Sequence, residues 1–134
     1  MNRKFFRLIA VILAMSIFLS VPAFAAVKAS GQIDVYDISV TKVSRGKIAI
    51  DFSVDGKSRM DRIGASSIIV YENGAVVASY DADDTGMSVR QSTYHANTIY
   101  FNGTAGTRYK VEVTVFAEDA DGTDYRTKTV YVTA

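Results

Sequence analysis

The sequence predicts an all-β domain, with seven antiparallel strands in a two-layer sandwich that follows an N-terminal signal helix. Three observations carry this. Apolar and polar residues alternate in short runs, most cleanly Ile48, Ile50, Phe52, Val54 and Tyr109, Val111, Val113, Val115. Period two places one face of such a run in a core and the other in water. The nine glycines all lie from Gly31 onward and mostly separate these runs, which is the punctuation of a sandwich. Past Pro22 there is no proline, and all eight tyrosines fall in that same part of the chain, a composition that favours strands.

The first 25 residues read as a separate object. Arg3, Lys4 and Arg7 precede the apolar run Leu8 to Leu19. Pro22 and Ala23-Phe24-Ala25 then supply a helix breaker and a small-residue cleavage pattern, so cleavage is expected between Ala25 and Ala26. The alternative is an uncleaved anchor, since Phe5 to Phe24 approaches the ~20 residues that cross a bilayer. Removal of the leader gives a single-domain chain, a flexible tail over 26–31 and a domain over 32–134. The full chain has 15 basic and 14 acidic side chains, or +1. Leaving out Arg3, Lys4 and Arg7 leaves 12 basic and 14 acidic, or −2. That balance argues against a nucleic-acid partner. There is no cysteine, so the domain must be stabilised by its core alone.

In chain order, strand one is expected over Gln32–Val43. Its apolar parity changes between Ile33, Val35 and Ile38, Val40, which predicts a bulge near Tyr36-Asp37. Strand two spans Lys47–Asp55. Residues 56–65 read as a basic connection carrying Lys57, Arg59 and Arg62, with Met60 and Ile63 spaced for one helical turn. Strand three, Ser66–Tyr71, is apolar on both parities and is expected to be covered on both faces. Asn73-Gly74 suits a hairpin into strand four, Ala75–Tyr80. An acidic loop follows at Asp81, Asp83 and Asp84. Met87–Tyr94 reads as an extended crossover, and strand five as Asn97–Asn102. The Tyr109 run forms strand six, and Asp124–Thr133 strand seven.

The run Gly106-Thr107-Arg108-Tyr109-Lys110-Val111-Glu112-Val113 resembles the sixth strand of fibronectin type III domains, within the immunoglobulin-like sandwiches. The resemblance implies that the Tyr109 hydroxyl caps the preceding loop, the tyrosine-corner arrangement. The chain departs from that pattern in lacking a core Trp in strand two, and in having Gly103-Thr104-Ala105 where Leu-x-Pro is usual. Met60-Asp61-Arg62-Ile63-Gly64 through Tyr71-Glu72-Asn73-Gly74 also resembles short exported proteins of Gram-positive bacteria that have no assigned activity. Neither resemblance fixes a function.

No catalytic constellation is visible. The one histidine, His95, has no nucleophile motif beside it. One His and no Cys do not make a zinc site, and there is no Gly-rich phosphate loop. A pair of acids acting as in a glycosidase stays open on composition alone. Calcium is the one cofactor to weigh, through Asp119, Asp121 and Asp124, whose spacing lacks the full EF-hand pattern; a plain hairpin turn explains the same residues. Tyr100 and Phe116 have outward parity and are candidates for a binding platform for sugars or protein, the alternative being that another strand or the tail covers them. The leading expectation is a secreted, non-catalytic binding module for an extracellular protein or glycan. The competing one is an assembly subunit pairing through the open edge of its last strand.

Overall fold

The computed structural model describes residues 31–134. The expected signal peptide, 1–25, and residues 26–30 of the expected tail lie outside the described residues. The strands are β1 (Ile33–Ser44), β2 (Lys47–Glu72), β3 (Ala75–Asp81), β4 (Ser88–Asn102), β5 (Arg108–Asp119) and β6 (Gly122–Thr133). All pairings are antiparallel.

The all-β, antiparallel expectation holds, but the strand count and layering differ. The expected strands two and three are one 26-residue strand, β2, so the described residues form six strands in one curled sheet. Residues 56–65 are therefore strand, not a basic loop with a helical turn. Each edge of β2 is shared by two neighbours. Its first half pairs with β1 on one side and β4 on the other; its second half pairs with β5 and β3. A register shift between Asp55 and Met60 marks the join. Extra residues on one strand bend it and increase its twist, which lets one strand serve both halves of the curled sheet. Met60 and Ile63 then both point into the core, which is why their three-residue spacing imitates a helical turn.

The core is built from the inner faces of both halves. Ile48, Ile50, Phe52 and Val54 meet Ile68, Val70 and the β5 series Val111, Val113 and Val115. Among the described residues this core runs from Ile33 to Ala134. The expected two-sided burial of the second half of β2 is only partial. Ile68 and Val70 are buried, while Ile69 and Tyr71 on the other face are half-exposed.

Other boundaries shift for identifiable reasons. The bulge in β1 falls at the Ile33/Val35 pairs, a little before the expected place, and leaves Val35 exposed while Ile38 and Val40 turn inward. Met87–Tyr94 is not a crossover. Met87 is a core residue, and β4 begins at Ser88, pairing through Val89 and Arg90 with Ile63 and Arg62. Gly64 permits this approach: its φ is +153°, and a Cβ there would overlap Met87 O and lie 2.6 Å from Ser88 Cα.

The two ends of the sheet come together at β1 and β6. Lys128 Nζ donates to Ile38 O at 2.8 Å, and Ile33 N donates to an Asp124 carboxylate oxygen at 3.1 Å. Half of the last strand is thus faced by β1. β3 and β4, in contrast, each pair with β2 alone.

Candidate functional site

Tyr100 and Phe116, the two expected platform residues, are not brought together. Tyr100 lies on β4 opposite Ala49, and Phe116 on β5 opposite Gly64. Their solvent exposures are 54% and 4%. Phe116 does have outward parity, but its own neighbours cover it. The Tyr125 ring stacks against it at 6.3 Å between centroids, and the Arg62 guanidinium sits 5.9 Å from its centroid. The outward aromatic is thus covered by Tyr125 and Arg62, and Phe116 is corrected from platform to packing.

Tyr100 has a different companion. Tyr94, 49% exposed, lies six residues earlier on the same strand and so on the same face. Six residues span ~20 Å of strand. Register fixes what lies around them. Val35, Asp55 and Tyr94 form one row across β1, β2 and β4; Asp37, Ser53 and Ala96 the next; then Ser39, Asp51 and Thr98; then Thr41, Ala49 and Tyr100. The middle rows are short side chains, so the surface dips there. A depression of about 570 Å³ is lined by Asp37, Asp51, Ser53, Ala96, Thr98 and Tyr100, among others. Thr98 Oγ1 donates to Asp51 Oδ1, which orients that carboxylate, and Lys47 Nζ lies 4.5 Å from the Tyr100 ring centroid. The trough therefore presents carboxylates, hydroxyls and an exposed phenol on a rigid strand scaffold.

Sequence reasoning missed Tyr94, Asp37 and Asp51. The signal was present in the shared even parity of Tyr94, Ala96, Thr98 and Tyr100, but it was hidden by starting the strand at Asn97.

A second concavity, about 560 Å³, is lined by Tyr71, Arg108, Lys110 and Tyr131 with Asn73 and Gly74. Here the chain's own cations occupy the rings. Lys110 Nζ is 4.6 Å from the Tyr71 centroid, and the Arg108 guanidinium 4.8 Å from that of Tyr131. Lys47 sits over Tyr100 in the same way, so what sets the first trough apart is its carboxylates and hydroxyls.

The acidic turn is used internally. Asp119 Oδ1 accepts from Gln32 Nε2 at 3.2 Å and from Asp121 N at 2.8 Å. Asp124 accepts from Ile33 N through one oxygen and pairs with Arg126 through the other. Asp119 and Asp124 thereby fasten the start of β1 to the β5–β6 hairpin. Among the described residues, no group of three His, Cys, Asp or Glu side chains is placed to hold a metal ion. The other acidic loop is tied in the same way: Arg62 bonds Ala82 O at 2.7 Å and Asp83 Oδ1 at 2.6 Å, and its Nε donates to Ser88 Oγ at 3.0 Å.

His95 sits on β4, not in a loop. Its Nε2 donates to Gly86 O at 2.7 Å, and its ring lies 5.8 Å from that of Phe52. Asn97 Nδ2 donates to the same carbonyl at 3.0 Å. Both side chains anchor the β3–β4 loop. Tyr109 behaves as the fibronectin resemblance implies: its hydroxyl accepts from Thr104 N at 2.8 Å. Gly103 is what lets the ring in, since a Cβ there would lie 2.6 Å from the hydroxyl oxygen.

No family model and no curated protein matches the chain.

Proposed function

We propose that this is a secreted, non-catalytic binding module that holds an extracellular glycan in the trough between Tyr94 and Tyr100. One observation carries the reading. Asp37, Asp51, Ser53 and Thr98 line an open depression beside the exposed Tyr100, whose ring already carries Lys47 Nζ. Carboxylates and hydroxyls accept and donate to the hydroxyls of a sugar chain, and an amphipathic ring meets its apolar face at low entropic cost. The acids at the centre favour an uncharged chain over an anionic one. The only histidine anchors a loop, and the reading assigns no residue a catalytic role. Export follows from Arg3 to Ala25 as read from sequence, and is checked by the mass of the protein in the medium, expected to begin at Ala26. The Tyr109–Thr104 hydrogen bond supports an immunoglobulin-like, fibronectin type III-like ancestry for the β5 segment.

The test is affinity electrophoresis of residues 26–134 through gels containing neutral bacterial or plant polysaccharides. Retardation by at least one, weakened tenfold or more by Tyr100→Ala and by Asp51→Asn but unchanged by Tyr125→Ala, supports the reading. Free migration in all of them, or retardation indifferent to Tyr100 and Asp51, contradicts it.

A further inference from the structure

β4 has one partner. From Ser88 to Asn102 it pairs with β2 along one edge, and among the described residues no other strand lies along its second edge. Amide and carbonyl groups of alternate residues face the same side of an antiparallel strand. Tyr94 marks which set faces outward, because its N and O are both met by Ser92 Oγ, at 3.2 and 2.7 Å, and not by β2. The backbone groups of Ala96, Thr98 and Tyr100 face that same open edge.

Soluble proteins protect such edges with lysine, proline, inward charges or covering loops. Here no Asp, Glu, Lys or Arg lies between Gln91 and Asn102, and there is no proline. The last strand, by comparison, carries Arg126 and Lys128 and is faced by β1. β1, β3 and β6 also pair with one strand each. But β1 and β6 carry charges and face one another, and β3 has 7 residues against the 15 of β4. β4 therefore offers the longest uncharged edge among the described residues.

The outward residues of this edge also read nearly the same in both directions: Tyr94, Ala96, Thr98, Tyr100, centred on Asn97. An antiparallel strand related by a twofold axis through Asn97 would set Tyr94 against Tyr100 of the other copy, and Ala96 against Thr98. Parity is preserved, so outward residues meet outward residues, and His95 faces Ile99 on the inner side. Directly opposed aromatic pairs are among the more stabilising cross-strand contacts. Charges agree as well. Lys47 lies over the Tyr100 ring, and the row of Tyr94 continues into Asp55. Across the axis, a cation on one copy approaches the carboxylate-bearing row of the other, and no like charges are opposed along the edge. An isologous contact of this kind closes on itself and ends at two copies.

We propose that β4 pairs antiparallel with β4 of a second copy of this chain, in the register centred on Asn97, joining two curled sheets edge to edge. Only the Ser92 contacts at Tyr94 must be given up, and these lie near the ends of the overlap. The pairing does not depend on what the trough binds; it would set two troughs on one continuous face.

Sedimentation equilibrium of residues 26–134 from micromolar to millimolar concentration tests this. A monomer–dimer equilibrium is expected. Ala96→Lys, at an exposed position, brings two lysines together near the axis and should weaken dimerisation tenfold or more. Ala96→Glu should do the same, and an equimolar mixture of the two variants should recover the dimer. Far-ultraviolet circular dichroism identical to the parent establishes that each variant is folded. A monomer throughout the concentration range overturns the proposal, as does a dimer that Ala96→Lys leaves intact. A monomer would leave the edge to an extended segment of a different protein.

Discussion

β5 and β4 both lie alongside β2, yet they are built to opposite ends. β5 is bonded on both edges, to β2 and to β6, and its inner residues Val111, Val113 and Val115 are fully buried. β4 is bonded on one edge only, and its inner residues Ile99 and Phe101 pack against the core but are only partly buried. Both carry tyrosines, with different work. Tyr109 is buried, and its hydroxyl closes a loop. Tyr94 and Tyr100 stand in solvent. The difference teaches where to look for function. A residue whose polar atom already has an internal partner is structure; an exposed ring on a rigid, singly bonded strand is available to something else.

Substitutions that remove a β5 contact should be the most damaging. Tyr109→Ala empties a buried aromatic site and is expected to cost about 3–5 kcal/mol. Tyr109→Phe keeps the ring but leaves Thr104 N without its acceptor, an expected loss of about 1 kcal/mol. Urea unfolding of the two variants separates packing from capping. If they proved equal, the hydroxyl and not the ring would be the main contributor.

The junction that lets β4 reach β2 comes next. Gly64→Ala places a Cβ against the Met87 carbonyl and the Ser88 backbone at a φ of +153°. The expected cost is about 3 kcal/mol, combining strain and overpacking. Hydrogen exchange should show the loss concentrated in residues 88–92 of β4 and spare β6; uniform loss would mean that the β4 contact is not a separable part of the fold.

On β4 itself the effect should nearly vanish. Tyr100→Ala is expected to change stability by less than ~0.5 kcal/mol, as for exposed positions generally, while removing a wall of the trough. A loss above ~2 kcal/mol would place Tyr100 with Tyr109 as scaffold and end the contrast.

The smallest effect concerns calcium. Thermal unfolding with Ca²⁺ and with EDTA is expected to coincide, because Asp119 and Asp124 are engaged by Gln32, Ile33 and Arg126. Binding of the native state by the ion would raise the midpoint with concentration, and a rise of several degrees would reopen the site.

Much of this contrast was legible in the residues. Strict alternation identified the first half of β2 and the Tyr109–Val115 part of β5, because in each one face meets the core and the other is more exposed. The same logic broke down where a strand changes partners. Between Asp55 and Met60 the shift in register resets parity, so β2 read as two strands and a loop. β4 was truncated for a related reason: half-exposed on both faces near Gln91, it carries no clean period. Phe116 illustrates a different limit. Parity gave its direction correctly, but burial depended on Tyr125 and Arg62, residues far apart in the chain that only the pairing register brings together. The acids of the β5–β6 turn were likewise recognisable as a turn, whereas their partners Gln32 and Ile33 are some ninety positions away.

The central claim is that ligand meets the outward face of β1, the first half of β2 and β4, and not the outward face of β5 and β6. Amide chemical shifts of isotopically labelled residues 26–134, followed while titrating whichever polysaccharide retards the protein most, test it directly. The account predicts shifts clustered at Asp37, Asp51, Ser53 and Ala96 to Tyr100, with Lys110 to Glu118 and Tyr125 to Tyr131 unmoved. Shifts centred on Tyr71, Lys110 and Tyr131, or none at saturating polysaccharide, would contradict it.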